Sequence, residues 1–181
     1  MERRPTEFKT GKCRVSYPKV FKPEAMNDGE KKKYSVSMLI PKSDKKTLKA
    51  IEKAVESAIE EGIKNKWGGK RPKKLGLPLR DGDEEKDGEE YEGAMFFNAS
   101  SSRKPGVIDL DKDELFDDEE FYPGCFARGT FNAYPFDVNG NKGVAIGLNN
   151  LQKLADGDRL GGGSRSAESD FDDEWDEDDF D

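Results

Sequence analysis

Residues 125–136, CFARGTFNAYPF, alternate in a way that separates two chemistries. Cys125, Ala127, Gly129, Phe131 and Ala133 form a mostly small, apolar face. Phe126, Arg128, Thr130, Asn132, Tyr134 and Phe136 form an aromatic and polar one. Successive side chains of a strand point to opposite sides, so one face turns inward and the other outward. Rings beside a guanidinium suit a single-stranded nucleic acid: bases stack on aromatics for ~1–3 kcal/mol each, and cations follow the backbone. Phe126, Arg128 and Tyr134 are read as ligand contacts. Phe136 lies close to the next turn and either joins them or packs beneath a loop.

Further cations are placed to meet phosphates. Lys12 and Arg14 fall on a first strand, Lys33 on a second, and Arg103 and Lys104 at a turn. The residues expected to face outward on those two strands include no acid. KRPKK at 70–74, with Lys70, Arg71, Lys73 and Lys74, is either a phosphate clamp or a solubilising loop.

Other chemistries fit poorly. The chain has no histidine, which removes the commonest general base near neutral pH and the usual nucleophile partner. The acidic loop 81–93 fails as a calcium loop in both registers: Lys86 stands where glycine is needed, or Ala94 where glutamate is needed. A Mg²⁺ nuclease using Asp81 and Asp83 is the enzymatic rival, but these carboxylates are bunched on one loop. The chain is read as non-catalytic, with no cofactor and no metal.

The elements that would position these groups follow from periodicity. Residues 9–17 alternate, with Gly11, Cys13, Val15 and Tyr17 inward and Thr10, Lys12, Arg14 and Ser16 outward. In 33–40, Tyr34, Val36, Met38 and Ile40 alternate with Lys33, Ser35, Ser37 and Leu39. After Pro41, Ser43 or Asp44 can cap a helix over about 45–65, with Leu48, Ile51, Val55, Ile59 and Ile63 on one side and Trp67-Gly68-Gly69 as its stop. Short strands are expected at 94–100, 107–110 and 144–148, and a turn or short helix at 115–122. Five or six strands and one helix, with small residues facing in, suit an OB-like barrel. A sandwich with a covering helix is the other arrangement compatible with the pattern.

At 181 residues the chain fits one domain, 1–160, followed by a Gly/Ser-rich linker, 161–169, and an acidic tail, 170–181. Only 33% of residues are hydrophobic and 39% are charged, so the tail is expected to be disordered. Charge is uneven: 22 Lys and Arg against 10 Asp and Glu in 1–80, 9 against 19 in 81–166, and none against 10 in 167–181. A basic first half implies a polyanionic partner, and the acidic end a detachable segment. Cys13 and Cys125 form no CxxC, and the sequence has neither a signal-like start nor a ~20-residue apolar run. A soluble protein of a reducing cytoplasm, with no membrane partner, is expected.

The tail has a particular composition. Residues 168–181 carry 10 carboxylates in 14 positions and include Phe171, Trp175 and Phe180. Extended, that is roughly one charge per 4.6 Å, comparable with a stacked nucleic-acid strand. The rings stand in for bases. The 21 residues from Gly161 onward span roughly 25 Å as a coil. The tail is expected to imitate a single strand and occupy the protein's own groove.

SYPKVFKP (16–23), YSVSMLIPKSD (34–44), LPLRDGD (77–83), YPGCFARGTFNAYPFD (122–137) and NKGVAIGLNNLQKLADGDRLGG (141–162) together resemble the single-stranded DNA-binding proteins of tailed bacteriophages. The resemblance implies an OB fold, sequence-tolerant binding of single-stranded DNA, and work in DNA replication, recombination or repair in the cytoplasm of an infected bacterial host. It also implies a tail that competes with DNA and recruits replication proteins such as DNA polymerase and helicase. Phe180 would carry the terminal-aromatic role, although Asp181 follows it. The rival readings are an RNA-binding chaperone and an acidic DNA mimic that inhibits a host enzyme.

Overall fold

The computed structural model describes residues 4–25 and 29–160. The linker 161–169, the tail 170–181 and the tail residues Phe171, Trp175 and Phe180 lie outside the described residues.

Among the described residues, eight strands and two α-helices follow in the order β1 (Glu7–Lys9), β2 (Cys13–Glu24), β3 (Lys33–Pro41), α1 (Lys45–Asn65), β4 (Arg80–Asp81), α2 (Gly82–Glu85), β5 (Ala94–Ser101), β6 (Gly106–Ile108), β7 (Phe126–Val138) and β8 (Asn141–Ala155). β3 pairs antiparallel with β2 and β5, β5 pairs parallel with β8, and β7 pairs antiparallel with β8 and β2. The path β2–β3–β5–β8–β7 thus returns to β2 and closes a five-stranded, OB-like barrel. Two of its seams are short. β5 meets β8 at Ala99↔Ile146 and Ser100↔Gly147, and β2 meets β7 at Cys13↔Ala127 and Arg14↔Phe126. β1, β4 and β6 extend the sheet on β7, β5 and β8.

The small face of β7 makes this closure workable. Cys125, Ala127 and Phe131 are wholly buried and Ala133 nearly so. Phe131 meets Phe8 at 5.4 Å and Phe97 at 5.0 Å between ring centroids, filling the interior with one aromatic cluster. Helix α1 buries Ile51, Ala54, Val55, Ala58 and Ile59 against it. Asp44 caps α1 by accepting the Thr47 N–H (3.2 Å) and hydroxyl (2.7 Å). The Thr47 hydroxyl in turn accepts the Gly11 N–H at 2.9 Å, which ties the helix start to the β1–β2 link. The Trp67 indole N–H donates to the Phe136 carbonyl at 3.1 Å, so the helix end is fixed to β7. Asn139 and Gly140, with φ of 53° and 85°, make the tight β7–β8 turn that positive φ at both positions permits.

Several expected details change. Tyr17 is 66% exposed rather than inward, because β2 is irregular between Ser16 and Lys19 and Tyr17 takes φ 45° there. Such a bulge re-aims one side chain. Thr10 and Ser16 are buried rather than outward; the Thr10 hydroxyl accepts the Gly129 N–H at 3.0 Å. Ser37 and Leu39, expected outside, are also buried. The acidic segment 81–93 is folded rather than a solvated loop. It contains α2 and a 3₁₀ turn at Glu89–Tyr91, and its Tyr91 packs with Leu39, Ala94 and Phe96 in a second small core. The strand expected over 144–148 runs the full length of Asn141–Ala155.

Candidate nucleic-acid interface

The outer face of the barrel can be read row by row from the strand registers. Ser35 on β3 faces Ser100 on β5, which faces Gly147 on β8, which faces Asn132 on β7. The next row places Ser37 opposite Asn98, and Ala145 opposite Tyr134. Small side chains thus run across three strands. Ser37 donates to Asn98 Oδ1 at 2.7 Å, holding two of them flat. At Gly147 a Cβ would sit 2.5 Å from Asn132 Oδ1, so a side chain there would have to displace the Asn132 amide.

Over this floor lies a groove of about 810 Å³. Tyr17 supplies an exposed ring, the buried Tyr91 and Phe96 back the wall, and Lys19, Lys31, Lys33 and Lys86 supply positive charge. The rings arrive by different routes. The β2 bulge turns Tyr17 out, while Tyr91 and Phe96 meet edge-on at 5.3 Å between centroids. Burial pushes the Tyr91 phenol above its ordinary pKa, so it stays neutral. Lys86 Nζ lies 5.7 Å from the Phe96 ring and 5.9 Å from the Tyr91 ring, a cation–π arrangement at the groove wall. Lys19 pairs with Glu24 at 3.4 Å. Glu24 and Glu30 also line the groove, at the segment joining β2 and β3.

The residues selected from sequence fall in five places. Lys33 lines the groove. Tyr134, 39% exposed, faces Ala145 and so borders it. Arg103 and Lys104 are exposed just beyond β5, whose Ser100 lines the groove. The rest lie elsewhere. Arg128 donates to Gln152 at 2.7 Å and, with Lys9, flanks a separate depression of about 340 Å³. Phe126 carries Lys12 at 4.6 Å and Arg14 at 6.0 Å over its ring. Arg14 also donates to the Asp158 carbonyl at 2.6 Å, so this cluster clamps residues 156–158 against the barrel. Leu160 N–H donates to the Pro123 carbonyl at 2.9 Å beside it. Phe136 is half-buried beside Gly76 and Gly143. Lys70, Arg71, Lys73 and Lys74 occupy the loop after α1, where Arg71 pairs with Glu56 at 3.1 Å.

Sequence reasoning missed Tyr17, Lys19, Lys31, Lys86, Tyr91 and the small-residue floor. A signal for Tyr17 existed. Pro18 follows it inside the strand, and proline there marks an edge or a bulge.

Asp81 and Asp83, the carboxylates of the nuclease reading, both pair with Lys42, at 2.8 and 2.7 Å. The ammonium holds both carboxyls below their ordinary pKa, and they hold Lys42 above its own. Their first partner is thus a lysine, and their contact orders the 82–93 segment.

Comparison with known proteins agrees with this architecture. The family model described as Enterobacter phage Enc34, ssDNA-binding protein, matches residues 6–181. Protein p50 of Acyrthosiphon pisum secondary endosymbiont phage 1 is 33% identical over 92% of this chain and 93% of its own length. The single-stranded DNA-binding protein of bacteriophage Enc34 in complex with ssDNA superposes with a TM-score of 0.72 at 29% identity, covering 86% of this chain and 90% of that one. The single-stranded DNA-binding protein encoded by bacteriophage T7 shares the fold, with a TM-score of 0.60 at 18% identity over 94% of this chain and 95% of that one. The closed five-stranded ring, the groove across it and the match from residue 6 to the last residue lead to one assignment: the chain belongs to the Enc34 phage single-stranded DNA-binding protein family.

Proposed function

We propose that this chain binds single-stranded DNA, with little regard to sequence, along the groove over β3, β5 and β8, and serves phage DNA replication and recombination in the cytoplasm of an infected bacterium. The observation that carries the reading is the groove itself: a floor of Ser35, Ser37, Asn98 and Ser100, the exposed ring of Tyr17 above a wall backed by the buried Tyr91 and Phe96, and four lysines against two glutamates around them. Stacking on rings is indifferent to base identity, and lysines meet phosphates without reading bases. OB folds bind oligonucleotides on this part of their barrel. The relative from phage Enc34, seen in complex with ssDNA, supports the choice of ligand.

In this reading Tyr17 and Tyr134 stack bases, and Lys31, Lys33 and Lys86 neutralise phosphates. Arg103 and Lys104 continue the path beyond β5. Arg128 and Lys12, further round the barrel, meet the backbone of a longer strand. The acidic tail competes for the groove through its charge density and rings, and when displaced it recruits replication proteins such as DNA polymerase and helicase. The protein's role is binding rather than catalysis.

Fluorescence titration with short oligo-dT at several salt concentrations tests the reading, with an RNA oligonucleotide as competitor. Tight, salt-sensitive binding that prefers DNA is expected. Binding to basic proteins and to no oligonucleotide would favour a DNA mimic, and preference for RNA would favour a chaperone.

A further inference from the structure

Among the described residues, six large hydrophobic side chains are exposed: Tyr17, Leu77, Leu110, Phe116, Tyr134 and Val138. The two tyrosines border the groove. The other four form two pairs at opposite ends of the β7–β8 hairpin.

Leu77 and Val138, 55% and 58% exposed, share one end. The Gly76 N–H donates to the Lys142 carbonyl at 3.0 Å and the Val144 N–H to the Gly76 carbonyl at 2.9 Å, so residues 76–77 run beside the hairpin turn. This end is basic on balance: Lys70, Lys73, Lys74 and Lys142 stand against Asp137, and Arg71 pairs with Glu56.

Leu110 and Phe116, 63% and 69% exposed, mark the other end. Ile108 registers with Gln152, whose Nε2 donates to the Asp109 carbonyl at 3.1 Å. Residues 109–120 hold eight Asp and Glu and one Lys. This segment is firmly held. Asp109 Oδ1 accepts the N–H groups of Asp111 (2.9 Å) and Asp113 (3.0 Å), and Leu115 and Phe121 are buried beneath it. Leu110 and Phe116 are thus presented to solvent by an anchored loop. From Asn141 to Gln152 the strand spans roughly 35 Å, which separates this loop from the basic end of its own molecule.

We propose that these two ends are the complementary halves of a head-to-tail contact between successive copies of this chain. Phe116 and Leu110 of one copy meet Leu77 and Val138 of the next, with acids opposite the surrounding cations. Because the two surfaces differ, the contact propagates along a line rather than closing as a dimer. It is small, so free chains associate weakly. A shared DNA strand, taken from the function proposed above, raises the local concentration enough to form it.

Two experiments on the full-length chain test this. Leu77→Cys and Phe116→Cys chains are mixed with a short bis-maleimide, the native Cys13 and Cys125 being buried. Mixed pairs are expected, rising at least five-fold with poly-dT and falling with salt. Pairs of one variant alone, or Leu77→Cys linking to Trp175→Cys of its own tail, would overturn the contact. Separately, Leu77→Ser and Phe116→Ser should leave affinity for an oligonucleotide that holds one copy unchanged, while cooperativity on poly-dT drops at least five-fold. Unchanged cooperativity would overturn the proposal, and so would lost short-oligonucleotide affinity in Leu77→Ser, which would give Leu77 to the groove. Should the wild-type chain bind no oligonucleotide, the proposed function fails instead, and linking of the free chains at high concentration still decides the contact.

Discussion

Lys42 shows how a single side chain shapes this surface. It bridges Asp81 and Asp83, and the segment that follows covers Leu39 and Phe96. Both carboxyls titrate below their ordinary 3.8, so their contribution to stability is complete above that pH and fades as acid protonates them. Lys42 is raised, so its share persists until pH passes its folded value, above the ordinary 10.5. The Tm gap between wild type and Lys42→Met should therefore be flat from about pH 5 to pH 10 and narrow below about pH 4. A gap independent of pH down to acid unfolding would mean that the pairing contributes nothing to stability. Burial pushes the Cys13 thiol up to about 12 and raises Cys125 as well. Neither should react with a thiol reagent at pH 8 until the chain unfolds. At the groove, Tyr17→Ala and Tyr134→Ala should each weaken oligo-dT binding roughly ten-fold, as loss of one stacked base would. Unchanged affinity in both would place DNA on another face. Tyr134 was legible because its alternation with Ala133 holds. Tyr17 was not, because a bulge breaks the register that would have put it inside.

The elements differ in how much they disclosed. Helix α1 begins and ends where its apolar period and Asp44 cap place it, because an amphipathic stripe and a capping carboxylate are local signals. Asp44→Ala should lower stability by about 1 kcal/mol in denaturant titration, with the Thr47 and Gly11 bonds loosened as well. No loss would make the cap incidental. Strand β8 disclosed less. Asn149 and Asn150 break its apolar alternation, yet pairing with β7 carries it to Ala155. The segment 81–93 was the least legible. Its order depends on Lys42 and on the outer face of β3 and β5, contacts distant in sequence. Those same contacts build one wall of the groove, so the part of the site that alternation could not reveal is the part made by tertiary packing.

The whole molecule joins a cationic, ring-lined groove to an acidic terminal segment. Charge asymmetry along the sequence disclosed the acidic segment and the basic first half, since the count of charges needs no fold. The groove's position did not follow, because it depends on which strands close the ring. Deleting residues 168–181 should tighten oligo-dT binding several-fold at low salt and less at high salt, because screening weakens the tail's competition. Equal or weaker affinity would remove the tail from the groove. Phe180→Ala, which removes one competing ring, should tighten DNA affinity less than the deletion does and reduce stimulation of a partner polymerase.

The most direct test concerns the groove lysines. For single strands the logarithm of affinity falls with the logarithm of salt by roughly 0.7 per phosphate neutralised. The wild-type chain and the triple variant Lys31→Gln/Lys33→Gln/Lys86→Gln are titrated with oligo-dT across a salt series. The account predicts a slope shallower by about two units in the variant, with weaker affinity at low salt. Identical slopes in the two chains would mean that the DNA does not lie in this groove.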